Sequence, residues 1–478
     1  MRWTRLSVLA VASGALALAA CSENATSPRQ TLDTAADEAA FAMASADIST
    51  MDDLGGRHIV VFSAKRGVPK QFETSVAELG GTVEAVYTEV GAAVVSGLDE
   101  ATAAELKGID GVQYAELEPV IEMRLPEFSA DRISSEAAPS SPSDPTGAFF
   151  FADQWNMRAI DAPAAWATGR LGSPDVTIAI LDTGIDYLHN DLLGHVDLSR
   201  SISFLPQDDA LVDLIFPGRE YITDLVWHGT HVSSNAVSSG WGMAGVTSNV
   251  TLMGVKVCSV YGGCPGGAIF SGIAYAIENG ADVINMSLGG HFQKSDYPGY
   301  VSVINRLFNY AKNQNVTMVV SAGNESIDLD HDANGFKTYC DAPHVICVSA
   351  TGPTGWDGGT VWENVDAPAD YTNYGRSAIS IAAPGGNYGD YVVGACSTTS
   401  LIISGCQASP FFYVWAAGTS MSAPHVTGLA ALMVEDYGKS PSKVKNKIQQ
   451  SADDLGQPGT DPFYGKGRIN VATAVGAN

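Results

Sequence analysis

Between residues 176 and 352 the apolar positions come in near-continuous runs rather than in alternation. The runs are "VTIAILDTG", "VTLMGVKV", "ADVINMSLGG", "VTMVVSAGN" and "HVICVSATG". Such runs predict parallel strands covered on both faces. Helical stretches fall between them, such as "GGAIFSGIAYAIENG" and "YVSVINRLFNYAKNQN". Strands alternating with helices predict an α/β fold, a doubly wound and mostly parallel sheet occupying residues 149–478. Ligands of such sheets bind beyond the carboxyl ends of the strands. The polar residues at those ends are Asp182, Ser287 and Asn324.

A second pattern precedes it. In "VPKQFETSVAELGG", Phe72, Val76 and Leu79 fall at i, i+4 and i+7, one face of a helix that Gly80 and Gly81 end. "RHIVVFSA", "TVEAVYTEV", "GAAVVSGL" and "VQYAELE" read as strands. Asp99 is a candidate N-cap for "EATAAELKG". The order β-α-β-β-α-β is the split βαβ pattern of a small α+β domain, residues 56–123. Residues 21–55 are rich in Ala, Ser, Thr and Asp and read as a flexible tether. Residues 124–148, dominated by Pro, Ser and Ala, read as a linker.

Composition narrows the function classes. The 478 residues carry a formal charge of −26, which argues against nucleic acid or an anionic membrane as partner. The first residues, "MRWTRLSVLAVASGALALAAC", have a charged head, an apolar run and a close of small residues, as in a secretory signal peptide over residues 1–20. The run is too short for a transmembrane helix. Leu18-Ala19-Ala20-Cys21 resembles the bacterial lipobox, which implies lipidation of Cys21. An ordinary signal, with Cys21 incidental, is the alternative.

The other six cysteines form close pairs in sequence: Cys258 and Cys264, Cys340 and Cys347, Cys396 and Cys406. In an exported chain disulfides are the default, and nearest-neighbour pairing is the simplest of 15 connectivities. Zinc is the alternative, but no C-x-x-C and no paired histidine spacing accompanies them.

A serine hydroxyl becomes a nucleophile when a base takes its proton and a third group holds that base's tautomer. The chain offers Asp182 in "AILDTGID", His228 in "WHGTHVSS" and Ser420 in "GTSMSAPH". Singly, each has a structural reading: a turn aspartate, a core histidine, a loop serine. The motifs "DTGID", "HGTHV" and "GTSMSAPHVTGLAALM" together resemble those of the subtilisin-like serine proteases, the subtilases. The order Asp, His, Ser is the subtilisin order and is recognised as such. α/β-Hydrolases run Ser, Asp, His with G-x-S-x-G, which residues 418–422 do not match.

The resemblance implies Ser420 as nucleophile, His228 as general base and acid, and Asp182 as the carboxylate orienting it. Asp186 and His231 take structural roles. Asn324 in "SAGNES" matches the oxyanion-hole asparagine. Ser420 would sit in the first turn of a helix, whose N-terminus faces the developing negative charge, with Pro424 within about a turn of the start. The segment Ser287-Leu288-Gly289-Gly290 matches the edge lining the pocket for the residue before the scissile bond, and Tyr261-Gly262-Gly263 matches the segment that pairs with an extended substrate backbone. Cys264 beside the second is a departure from the simplest pattern. Residues 56–123 resemble the propeptide, an intramolecular inhibitor whose last segment, "YAELEPVIEM", would lie in the cleft.

The expected protein is thus a secreted or surface-tethered monomeric endopeptidase made as a self-processing zymogen, acting on polypeptides. Its own leader is its inhibitor, and the only membrane contact is through a lipid anchor. The alternative is an idle peptide-binding module on the same fold. The chemistry requires no cofactor. The resemblance admits a structural calcium: Asp191 in "HNDL" fits a ligand position, although "VSSGWGMAG" lacks the asparagine-bearing loop that completes it.

Overall fold

The run of apolar residues at 177–182 is buried on both faces in the computed structural model, which describes residues 56–132 and 142–477 apart from 291, 333, 337 and 410. The signal segment, Cys21 and the tether lie outside the described residues.

The leader domain forms first along the chain. Its strands β1 (His58–Phe62), β2 (Thr82–Tyr87), β3 (Ala92–Ser96) and β4 (Val112–Leu117) make an antiparallel sheet in the order β2-β3-β1-β4. One face carries helix α1 (Phe72–Glu78) and the short α2 (Glu100–Ala103). Asp99 caps α2, its carboxylate accepting from the Thr102 N–H at 2.8 Å. Alternation along β1 splits the strand's side chains. Val60 and Phe62 join Phe72, Val76, Val95 and Leu106 in the leader's own core. Ile59 and Val61 point the other way, into a core shared with the large domain.

Beyond the leader come β5 (Val120–Glu122) and β6 (Glu127–Arg132). The second falls inside the segment expected to be a linker. Its sequence, "EFSADR", has no apolar alternation strong enough to announce a strand, and it forms by adding to an edge of the large domain.

The large domain is built on seven strands: β7 (Thr177–Asp182), β8 (Ile202–Ser203), β9 (Thr251–Lys256), β11 (Val283–Met286), β12 (Thr317–Ser321), β13 (Ile346–Thr351) and β14 (Ile381–Pro384). All pairings are parallel, in the order β14-β13-β12-β11-β7-β9-β8. The short β10 (Gly263–Pro265) lies outside this sheet and pairs with β5. The strands read as apolar runs because successive residues enter two different cores. Ile178, Ile180, Val283, Val319 and Val348 pack with helix α7 (Thr419–Tyr437) on one face. Ala179, Leu181, Ile284, Met318 and Val320 pack with α5 (Gly266–Glu278) and α6 (Pro298–Asn313) on the other. Two further elements matter for the site: α3 (Pro206–Ile215) and α4 (His228–Ala236). A separate antiparallel pair, β15 (Val392–Ala395) and β16 (Phe412–Ala417), carries β6 on its outer edge.

Candidate active site

Asp182 is the last residue of β7 and His228 the first of α4, so a strand end and a helix start deliver them to one place. His228 Nδ1 donates to Asp182 Oδ1 at 2.7 Å, and the Thr183 N–H donates to the same oxygen at 2.8 Å. Both side chains are buried. Burial alone would lower the His228 pKa, but the Asp182 charge and hydrogen bond outweigh it and hold it above the ordinary imidazole value. The helix start must come close to the strand end. A Cβ on Gly229 would stand 2.1 Å from the Gly184 carbonyl oxygen, so only glycine fits between them.

Asp224, which the sequence reading missed, fixes that helix start. Its carboxylate accepts from the N–H groups of Val226, Trp227 and Thr230 and from the hydroxyls of Thr230 and Thr183. The bonds hold Trp227 at φ 154°, a left-handed conformation uncommon for a bulky residue, immediately before His228. Asp186 and His231 are structural. Asp186 accepts from Arg219 and Thr398, while His231 donates through Nε2 to the carbonyls of Val392 and Val414. Burial pushes His231 down to about 3, so it stays neutral.

Ser420 is the second residue of α7 and 8% exposed. Pro424 sits in the second turn, not the first, and removes the N–H that would have bonded the Ser420 carbonyl. The freed carbonyl accepts from Ser287 Oγ at 2.9 Å instead, and Ser420 Oγ donates to the Ser287 carbonyl at 3.2 Å. The proline thus exchanges one helical bond for a tie between the serine's turn and the segment 287–290. Asn324 follows β12; its Oδ1 accepts from Thr419 N–H at 2.8 Å and Thr419 Oγ1 at 2.9 Å. With the oxygen so engaged, the amide's donor end remains for the cleft.

His228, Ser420, Asn324, Ser287, Leu288 and Gly289 line a single cleft of about 960 Å³. Gly262 and Gly263 form its other edge: β5 pairs with β10 at Gly263↔Glu122, and the Met123 N–H donates to the Gly262 carbonyl at 2.8 Å. Tyr261 stands beside them, half-buried. The structure joins Cys258–Cys264, Cys340–Cys347 and Cys396–Cys406, the first bracketing this edge. Asp208, on α3, also holds it. Its carboxylate accepts from Ser259 Oγ at 2.5 Å and Val260 N–H at 3.2 Å and pairs with buried Lys256 at 3.0 Å. A lysine inside the apolar run "GVKV" was the available signal, since a buried ammonium needs a partner.

The calcium expectation meets a different arrangement at Asp191. One carboxylate oxygen accepts from Ser238 Oγ and the N–H groups of Trp241 and Gly242, and the other accepts from Tyr413 OH at 2.5 Å. Donors face both oxygens, so the residues around Asp191 do not fit a cation. Among the described residues no group of three or more His, Cys, Asp or Glu side chains is placed to hold a metal.

The leader's carboxylates engage the large domain's helix starts. Glu118 accepts from Gly267 N–H at 2.6 Å at the start of α5, and Glu116 from Gly299 N–H at 2.9 Å at the start of α6. Arg306 of α6 donates to the carbonyls of Phe62 and Val90, each at 3.0 Å.

Comparison with known proteins gives the family and the fold. Residues 173–467 match the model of the subtilase family. Subtilisin DY of Bacillus licheniformis is 32% identical over 325 residues, covering 67% of this chain and 98% of its own. Thermitase of Thermoactinomyces vulgaris is 30% identical over 338 residues, 70% of this chain and 99% of its own. Among solved structures, the epidermin leader peptide processing serine protease of Staphylococcus aureus superposes with a TM-score of 0.67 at 21% identity, over 88% of this chain and 97% of that one. With the family model matched over residues 173–467 and relatives of this identity covered almost end to end, this chain belongs to the subtilase family of serine proteases.

Proposed function

We propose that the chain is an exported serine endopeptidase made as a zymogen, with Ser420, His228, Asp182 and Asn324 as its catalytic groups and Cys21 as a lipid anchor site. The observation that carries the reading is the His228–Asp182 hydrogen bond opening onto a cleft that also holds Ser420, Asn324 and the chain's own residues 119–127.

In this reading Ser420 Oγ turns from the Ser287 carbonyl and attacks the carbonyl carbon of the scissile peptide bond. His228 Nε2 takes the hydroxyl proton while Nδ1–H remains bonded to Asp182. The carbonyl oxygen becomes an oxyanion and accepts from the Asn324 amide and the Ser420 N–H. As the intermediate collapses the C–N bond breaks and His228 protonates the leaving amine. Water then attacks the acyl-enzyme ester, His228 takes its proton, and the new carboxyl product leaves as Ser420 recovers its own. The segments 261–263 and 287–290 bind any extended backbone, which suits polypeptide substrates in general.

The leader lies across the cleft it is to be cut from, so the first cleavage is intramolecular, between Met123 and Phe151. Its effective concentration there is on the order of millimolar, as for short tethers. Purified wild-type precursor should shorten at a rate independent of its concentration, and Ser420→Ala precursor should keep its full mass. A concentration-dependent wild-type rate would show cutting between molecules and end the intramolecular claim. For the anchor, Cys21→Ser should move the protein from the detergent phase to the aqueous phase, and equal partitioning of both forms would remove it.

A further inference from the structure

Strand β6 lies on the far side of the cleft from β5. Its six residues pair antiparallel with β16, from Glu127↔Ala417 to Arg132↔Phe412. Ala417 is three residues before Ser420, so this ladder begins at the nucleophile and runs away from it. The leader therefore enters on the 261–263 edge, passes Ser420 over residues 123–126, and leaves as a strand on β16. A chain crossing in that direction has its post-scissile half on β16.

That half is held by more than backbone. The Phe128 ring packs on the Trp227 indole, centroids 5.1 Å apart at 51°, and Phe128 is half-buried against the core around it. Ala130 on the same strand is buried. Tyr391 OH donates to Glu127 at 3.0 Å. The Trp227 backbone N–H is held by Asp224 of the large domain, so the position of the wall that Phe128 meets is set without any contact from the leader. Once residues 127–132 depart, β16 keeps β15 on one side and has an unpaired edge on the other, which is a template for another extended strand.

We propose that the outer edge of β16, with Trp227, is a binding site for the six or so residues that follow the scissile bond. It prefers an aromatic side chain at the position Phe128 holds, and residues 127–132 are its intramolecular occupant. The inference rests on the endopeptidase reading and adds a substrate requirement to it. It also gives activation a second step. A cut between residues 123 and 126 leaves residues 127–132 joined to the large domain and still filling the site, so access for long substrates needs a further cut beyond Arg132.

The test uses mature enzyme and peptides of the chain's own sequence. The full peptide, VIEMRLPEFSADR, spans residues 120–132; a second stops at the residue matching Glu127, and a third carries Ala in place of Phe128. Two more carry proline at the Ser129 or the Ala130 position; of two neighbouring residues in an antiparallel ladder, one turns its N–H to the partner strand. The full peptide should be cut with kcat/KM at least roughly tenfold above the truncated one, and the Phe→Ala peptide should lose most of that gain, as an aromatic contact of this size implies. One proline peptide should fall to the truncated rate and the other should not. If the bond in these peptides resists cutting, the same ranking should appear in their Ki values as inhibitors of casein hydrolysis. Equal values for the full, truncated and Phe→Ala peptides would overturn the proposal while leaving the peptidase reading intact. Failure to hydrolyse casein at all would instead remove the peptidase reading.

Discussion

In the large domain the buried ionisable groups find their partners within the domain: Lys256 with Asp208, Arg219 with Asp186, His228 with Asp182. In the leader, the buried Glu118 carboxylate accepts both from Arg57 of its own domain and from a backbone N–H of the large one. The apolar groups divide in the same way. The large domain closes two cores around one sheet, whereas the leader closes one small core and leaves Ile59, Val61 and Val94 to be covered by α5 and α6. A unit satisfied internally persists after cutting, and one completed by docking can be released. On the proposed zymogen reading, the difference between the domains is the difference between an enzyme and its removable inhibitor.

Three substitutions separate the two units. The largest effect belongs to the large domain: Ser420→Ala should lower peptide hydrolysis by about 10⁶-fold, the loss known for the corresponding serine in subtilisin, without altering leader docking. Phe72→Ala removes the ring at the centre of the leader's core. It should destabilise the leader by about 3–5 kcal/mol, seen as protease sensitivity of residues 57–118 in the Ser420→Ala precursor, while mature enzyme is unaffected. If mature enzyme lost stability after precursor of normal yield, the leader would not be a separable unit. Asn324→Ala should lower kcat by about 10²–10³-fold, again a magnitude from subtilisin itself, with KM nearly unchanged.

Much of this division was legible in the chain. The parallel strands announced themselves because both faces of each are covered, and Phe72 and Val76 marked the leader's helix because only one of its faces is. Asp182, His228, Ser420 and Asn324 were legible through their motifs. Other parts were not. Strand β6 has no pattern of its own and exists because β16 offers an edge. Asp224 sits in "YITDLVWHG" with no periodic signal, and its five hydrogen bonds depend on where the chain folds back. Helix α3 carries none of the motifs, and its Asp208 is defined by Lys256, some fifty residues away in sequence. Proline 424 was seen as a tolerated breaker; what it frees, the Ser420 carbonyl, needed the structure.

Two smaller effects sharpen the comparison at its boundary. Glu118→Ala leaves the Gly267 N–H and Arg57 without their acceptor, and the leader's Ki against mature enzyme should rise roughly tenfold. No change in Ki would mean that docking draws nothing from Glu118 and rests on the apolar face with Glu116 and Arg306. The pH profile reports on the large domain only. Hydrolysis requires neutral His228, whose pKa lies above the ordinary 6.5 because Asp182 outweighs burial. Activity should therefore fall as pH drops through a midpoint above 6.5, and a midpoint well below it would mean that the His228–Asp182 bond is absent in the working enzyme.

The central claim is that Ser420 is the nucleophile. The most direct measurement is to treat mature enzyme with a fluorophosphonate, which phosphonylates an activated serine, and to map the adduct by peptide mass spectrometry. The expected result is one adduct per molecule, on Ser420, appearing in step with loss of peptide hydrolysis and absent in His228→Ala. An adduct on another residue accompanying that loss, or full loss with Ser420 unmodified, would contradict the account.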